Sequence, residues 1–141
     1  MQEHFMLRAL AVSRNALPHC IPNPPVGCVL VREGEIVAEG FTQSPGGNHA
    51  EPQALNNYQG SFDDVTAYVT LEPCSFVGRT PACTNTLVSS GIKHVVIAIL
   101  DPDPRNNGRG VEILKRAGIR VETGLCAKEV SEFIRPFLGR S

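Results

Sequence analysis

Apolar positions Phe5, Met6, Ala9, Leu10, Val12 and Ala16, with Ser13 among them, fall near one face at helical spacing. The pattern stops at Pro18, so it predicts a packing helix over residues 2–17. Residues 26–31 are a β-branched apolar run, Glu33-Gly34 makes a short turn, and 36–41 continues as a second strand, which together read as a hairpin. The breaker cluster Ser44-Pro45-Gly46-Gly47-Asn48 precedes a helix expected over 49–58, with Asn48 as its N-cap and Pro52 tolerated in the first turn. A third strand is expected at 66–71, followed by a loop containing Pro73-Cys74. Thr80-Pro81 resembles an N-cap followed by proline at the first helical position, which places Cys83 in the first turn of a helix running to Ser90.

Beyond that, residues 94–100 form a continuous apolar strand, 108–117 a helix, 118–122 a short strand and 127–138 a last helix. Helices alternating with buried strands call for an α/β domain of three layers, α/β/α, with a mixed sheet of about five strands. The expected sheet has an antiparallel hairpin at one side and parallel strands beyond it. At 141 residues the chain fits a single domain over 1–141 with one active site.

Composition narrows the partners. With 42% hydrophobic and 19% charged residues and no apolar run near the roughly 18 residues that span a bilayer, a membrane role is not expected. The start, Met1-Gln2-Glu3-His4-Phe5, lacks the basic, apolar and small-residue parts of a secretory signal, so the expected location is cytoplasmic. A net charge of −1 supplies none of the basic excess of a nucleic-acid binder, which leaves a small molecule as the expected partner. Five cysteines, an odd number, argue for a reducing compartment, with Cys20, Cys28 and Cys126 left as free thiols.

The chemistry lies between His49 and Cys83. His49-Ala50-Glu51 followed by Pro73-Cys74 and Cys83 offers one imidazole and two thiolates, three corners of a tetrahedral zinc, one ion per chain. The open corner would take a water whose pKa falls to roughly 7 on such a metal. Glu51, two residues beyond His49, suits the carboxylate that relays the water's proton. A purely structural zinc would need a fourth protein ligand, and Cys28 would have to reach across the fold to provide it. Other candidates sit nearby. Asn23 lies between prolines, where it either contacts substrate or turns the chain. Phe76 is either a stacking wall for a heterocycle or a core residue, and Arg79 either binds phosphate or covers its loop. Asp101 reads as a solvated loop residue or, standing at a strand end where open α/β sheets place their sites, as a ligand contact. Arg105 and Arg109 read as solvated, and His4, His19 and His94 as structural.

At His49-Ala50-Glu51 and from Thr70-Leu71-Glu72-Pro73-Cys74-Ser75 through Gly78-Arg79-Thr80-Pro81-Ala82-Cys83, the chain resembles the cytidine deaminase-like superfamily. It is most similar to the pyrimidine deaminases of riboflavin biosynthesis, which share the long interval between the two cysteines. Asn23-Pro24-Pro25-Val26-Gly27 and Asp101-Pro102-Asp103-Pro104 with Gly108-Arg109-Gly110 extend the likeness over nearly the whole chain. The resemblance implies zinc on His49, Cys74 and Cys83, proton relay by Glu51, and substrate contacts from Asn23 and the Ala50 backbone. It also implies deamination of a diamino-ribosylamino-pyrimidinone 5′-phosphate and a homodimer; family members are often fused to a reductase, and since this sequence stops soon after Phe133-Ile134-Arg135-Pro136-Phe137, a separate reductase is expected to act on the product.

Departures from the family pattern cluster on the substrate side: Thr42 and Phe76 stand where histidines are usual, Pro52-Gln53 replaces Val-His, and Asp103 replaces asparagine. Losing imidazoles and gaining a carboxylate makes that end of the pocket less welcoming to an anion. Two alternatives therefore stay open: a paralogous deaminase of another aminated heterocycle such as a pterin, purine or simple pyrimidine, in specialised metabolism or salvage, and a catalytically silent zinc-stabilised binding module.

Overall fold

Strand β1 (Gly27–Arg32) turns at Glu33 and Gly34 into β2 (Glu35–Phe41), and both turn residues have positive φ, 53° and 78°. That pair of left-handed residues matches the twist of the flanking strands and closes the hairpin read from the sequence. The structure, a computed structural model, describes residues 2–76 and 82–138. In the sheet, ordered β2-β1-β3-β4-β5, β1 lies antiparallel to β2 and to β3 (Val65–Leu71), while β4 (His94–Ile99) and β5 (Arg120–Thr123) continue parallel from β3. The mixed five-stranded sheet is the one expected, and its inner strands β1, β3 and β4 are nearly continuous buried runs because both faces are covered.

Alternation along the strands sorts the helices. Val29 and Tyr68 share one face, where the Tyr68 ring meets Phe5 of α1 (Gln2–Ser13) with centroids 5.4 Å apart. Helix α5 (Ala127–Ile134) joins α1 there, with the Arg14 guanidinium 4.6 Å above the Phe133 ring. Cys28 and Gly40 share the opposite face, under α2 (Ala50–Asn56). A Cβ at Gly40 would overlap the Ala50 carbonyl and come 2.5 Å from the Ala54 nitrogen, so only glycine lets α2 lie this close to β2. Helices α3 (Cys83–Ser90) and α4 (Arg109–Arg116) follow α2 across the same side. This gives three layers, with the core on both sides of the sheet.

Boundaries depart from expectation at helix ends. Helix α1 stops at Ser13 and tightens into a 3-10 turn over Arg14–Ala16, and α5 likewise gives way to one at Arg135–Phe137. The cap of α2 is His49, with extended backbone (φ −73°, ψ 174°), and not Asn48. Pro52 has no N–H to donate to the Asn48 carbonyl, which instead accepts a hydrogen bond from the Gln43 N–H at 3.0 Å that closes the loop after β2. Strand β5 begins at Arg120, after a glycine turn at Gly118 (φ 87°). The proposed Thr80-Pro81 start of α3 lies outside the described residues, and Ala82 occupies the cap position. Among the described residues, no helix is long and apolar enough to cross a membrane.

Candidate active site

Three elements converge beside the ends of β3 and β4. His49 caps α2, Cys74 lies in the loop after β3, and Cys83 opens α3. The His49 Nδ1 is 3.1 Å from the Cys83 sulfur and 3.9 Å from the Cys74 sulfur. Zinc bonds of about 2.3 Å to sulfur and about 2.05 Å to nitrogen set tetrahedral N···S corners about 3.6 Å apart, and the two observed distances bracket that value. These residues can therefore hold a zinc ion. Their donor atoms lie within 4.8 Å of one another, and among the described residues no fourth His, Cys, Asp or Glu joins them. Cys28 is fully buried in the sheet and outside the cluster, so among the described residues the structural-zinc alternative has no fourth ligand.

The thiols are arranged for charge. The Cys83 N–H donates to the Cys74 sulfur at 3.1 Å, and the Thr84 N–H donates to the Cys74 carbonyl at 3.1 Å, both from the first turn of α3. The Cys83 side chain first, and then His49, lower the Cys74 pKa to about 4. The same pairing raises Cys83. His49 is raised, chiefly by its bond to Cys74. A bound divalent cation would ionise both thiols.

Glu51, in the first turn of α2, is 3% exposed. Burial, and then the negative charge on Cys74, raise its pKa to about 7, the range in which one carboxyl both accepts and returns a proton near neutral pH.

A cavity of about 360 Å³ opens onto His49, Glu51 and Cys74. Asn23, Thr42, Phe76 and Asp101 line it. Ala50 is fully buried with its carbonyl against Gly40 and is not one of the lining residues. Thr42 is committed to the fold, since its hydroxyl accepts from the Val26 N–H at 3.0 Å and donates its proton to the Pro24 carbonyl at 3.1 Å. It thus ties the segment following Asn23 to the end of β2 and has no proton left for a ligand. Arg79 lies outside the described residues. Arg105, read as a solvated residue, also lines the cavity: its guanidinium sits 4.4 Å above the Phe76 ring and forks onto Asp103 at 2.7 to 3.2 Å. Burial raises the pKa of Asp101.

Two residues that sequence reasoning missed hold this end of the sheet together. Glu72, 3% exposed, accepts three backbone N–H bonds at 3.0 Å, from Asp101 and Gly108 on Oε1 and from Val111 on Oε2. Its signal was a charged residue at the close of a buried strand, directly before Pro73-Cys74. Asn106, fully buried, bonds to residues on both sides of Cys74. It gave no signal, because asparagine in a Pro- and Gly-rich stretch is what an ordinary loop shows.

The family model for the cytidine and deoxycytidylate deaminase zinc-binding region matches residues 1–99. The chain belongs to this deaminase family. It is 43% identical to the diaminohydroxyphosphoribosylamino-pyrimidine deaminase of Buchnera aphidicola subsp. Schizaphis graminum over 136 residues, 96% of this chain and 92% of that protein. It is 44% identical to the riboflavin biosynthesis protein RibD of Aquifex aeolicus, matching 97% of this chain but spanning only 38% of that protein. Among solved structures, Acinetobacter baumannii RibD (form 2) superposes with a TM-score of 0.92 at 43% identity, over 96% of this chain and 38% of that one. The family resemblance read from the motifs and the fold read from the hydrophobic pattern are borne out, and the match is to the deaminase part of the longer relatives.

Proposed function

We propose that the chain catalyses hydrolytic deamination of an aminopyrimidine, the diamino-ribosylamino-pyrimidinone 5′-phosphate intermediate of riboflavin biosynthesis, with release of ammonia. The observation that carries the reading is the three-donor cluster with no fourth protein ligand among the described residues and a buried carboxyl of pKa about 7 beside it. The full-length likeness to a relative named for this substrate supports the choice of pyrimidine.

Zinc, when held by His49, Cys74 and Cys83, supplies the Lewis acidity that makes water nucleophilic near neutral pH. The carboxylate of Glu51 takes a proton from the water and delivers protons to the ring nitrogen and to the departing amine. The ring carbon thus exchanges its C–NH2 bond for C=O, and water is consumed as ammonia leaves. Burial of Glu51 keeps its proton from leaking to solvent. Asn23 and Asp101 contact the heterocycle or its sugar from the cavity wall, and Phe76 stacks at the rim. The deaminase domain occupies residues 1–141 and acts in the cytoplasm as a homodimer, and a reductase acts on its product.

A second reading keeps the chemistry and changes the heterocycle. It draws support from Thr42, whose hydroxyl proton is committed to Pro24, and from Arg105, whose charge is matched by Asp103. Zinc-loaded chain should release ammonia from the phosphoribosyl pyrimidine, with a gain of about one mass unit as NH becomes O. Silence on that compound with turnover of a pterin, purine or simple pyrimidine selects the second reading. Silence on every compound rejects both in favour of a non-catalytic module.

A further inference from the structure

The loop between β4 and α4 sends one side chain into the metal loop. Asn106 is completely buried, and its amide makes three hydrogen bonds. Its Oδ1 accepts from the Ser75 N–H at 3.1 Å, and its Nδ2 donates to the Pro73 carbonyl at 3.1 Å and to the Asp101 Oδ2 at 3.3 Å. Pro73 and Ser75 are the immediate neighbours of Cys74. One amide therefore grips the peptide units before and after a metal ligand and, with its second N–H, a carboxylate in the cavity wall. Its two donors and its carbonyl oxygen are all engaged.

The grip is preset. Glu72 binds the N–H groups of Asp101, Gly108 and Val111, which fixes both ends of the loop carrying Asn106 to the strand end that leads into Cys74. Helix α3 restrains Cys74 from one side through the N–H groups of Cys83 and Thr84. Asn106 restrains it from another.

We infer that Asn106 is a positioning residue for the metal centre: its amide sets the orientation of the Cys74 thiolate and couples that ligand to the Asp101 carboxylate. Partners of this kind, which touch the ligand's surroundings and not the metal, orient donors and tune affinity. The inference rests on zinc being held by His49, Cys74 and Cys83, and the test separates the two claims.

Zinc affinity should be measured by competition with a chelator, alongside the absorption spectrum of the cobalt-substituted chain, for the unaltered protein, Asn106→Ala, Asn106→Asp and the exposed neighbour Asn107→Ala. Asn106→Asp preserves volume and the acceptor for Ser75 but loses the donor to Pro73 and sets a second carboxylate against Asp101. Both Asn106 variants should raise the zinc dissociation constant about 10- to 100-fold and shift the thiolate-to-cobalt bands, with Asn107→Ala unchanged. Asn106→Asp alone decides the matter if Asn106→Ala does not fold. A variant that binds zinc as tightly as the unaltered chain with an unmoved cobalt spectrum overturns the inference, even if its thermal stability falls. Failure of the unaltered chain to bind zinc overturns the metal centre itself, a result distinct from the first.

Discussion

The backbone N–H of Cys83 points at the sulfur of Cys74, 3.1 Å away, so the helix start that presents one thiol also solvates the other. A helix N-terminus favours negative charge, and here it meets a sulfur whose pKa the neighbouring Cys83 side chain lowers.

The consequence is measurable in the metal-free chain. A pKa lowered to about 4 would make Cys74 a thiolate throughout pH 6 to 8. Its alkylation by iodoacetamide after chelator treatment should be nearly flat over that range, whereas a thiol of ordinary pKa near 8.5 gains about tenfold per unit. Zinc should protect it. Cys28, fully buried and raised first by burial and then by Glu51, should stay unmodified on peptide mapping. A steep pH profile at Cys74 with no zinc protection would remove this residue from the ligand set.

Glu51→Gln should retain zinc and lose turnover by about 10²- to 10⁴-fold or more, the range for a positioned proton shuttle. The pH dependence of stability has a definite sign. Burial raises the Glu51 carboxyl from 4.5 to about 7, so the folded state binds its proton more tightly than the unfolded chain does. The stability it contributes is fully present below about 4.5 and is lost as pH rises through about 7. Glutamine cannot ionise. Metal-free Glu51→Gln should therefore gain on the native sequence between pH 4.5 and 7 by roughly 3 kcal/mol, read from urea unfolding in chelator. A relative loss over that interval would contradict the burial argument.

The sheet and the residues that could hold zinc were legible for related reasons. Strands such as residues 94–99 are buried on both faces, which leaves an unmistakable apolar run, and His49, Glu51, Cys74 and Cys83 are residue types seldom combined without a metal. What escaped was long-range polar pairing. Glu72 finds its donors 29, 36 and 39 positions away, and Asn106 finds Pro73 and Ser75 at 33 and 31. No local pattern encodes such partners. The displaced cap of α2 has a local origin: Pro52 has no N–H to donate to the Asn48 carbonyl, which takes the Gln43 N–H instead, while Gln53 N–H donates to His49.

Glu72 itself makes a sharper test of that hidden framework. Glu72→Gln is nearly isosteric, yet its amide N–H would face at least one of the backbone N–H groups the carboxylate now accepts. Donor would oppose donor in a site that is 3% exposed. The variant should lose roughly 3 kcal/mol in chemical denaturation, as expected when a buried charged acceptor is replaced and a donor is stranded. Unaltered stability would mean that the three bonds contribute little.

Gly110 closes the same junction from the helix side. A Cβ there would overlap the Pro73 carbonyl and lie 3.1 and 3.2 Å from Glu72 Cγ and Oε2. The obstacle is chiefly backbone, and the Pro73 carbonyl is also the acceptor of Asn106, so neither side can yield without disturbing the peptide that precedes Cys74. Gly110→Ala would gain helix propensity in the first turn of α4, worth up to about 1 kcal/mol, against overpacking of about 1–3 kcal/mol or more where backbone must shift. The clash should win. Thermal unfolding should show net destabilisation, and chelator competition should show weakened zinc binding, while Ala at the exposed neighbour Arg109 leaves both unchanged. A Gly110→Ala chain more stable than the native one, with full zinc affinity, would show that α4 can move away from the metal loop at no cost.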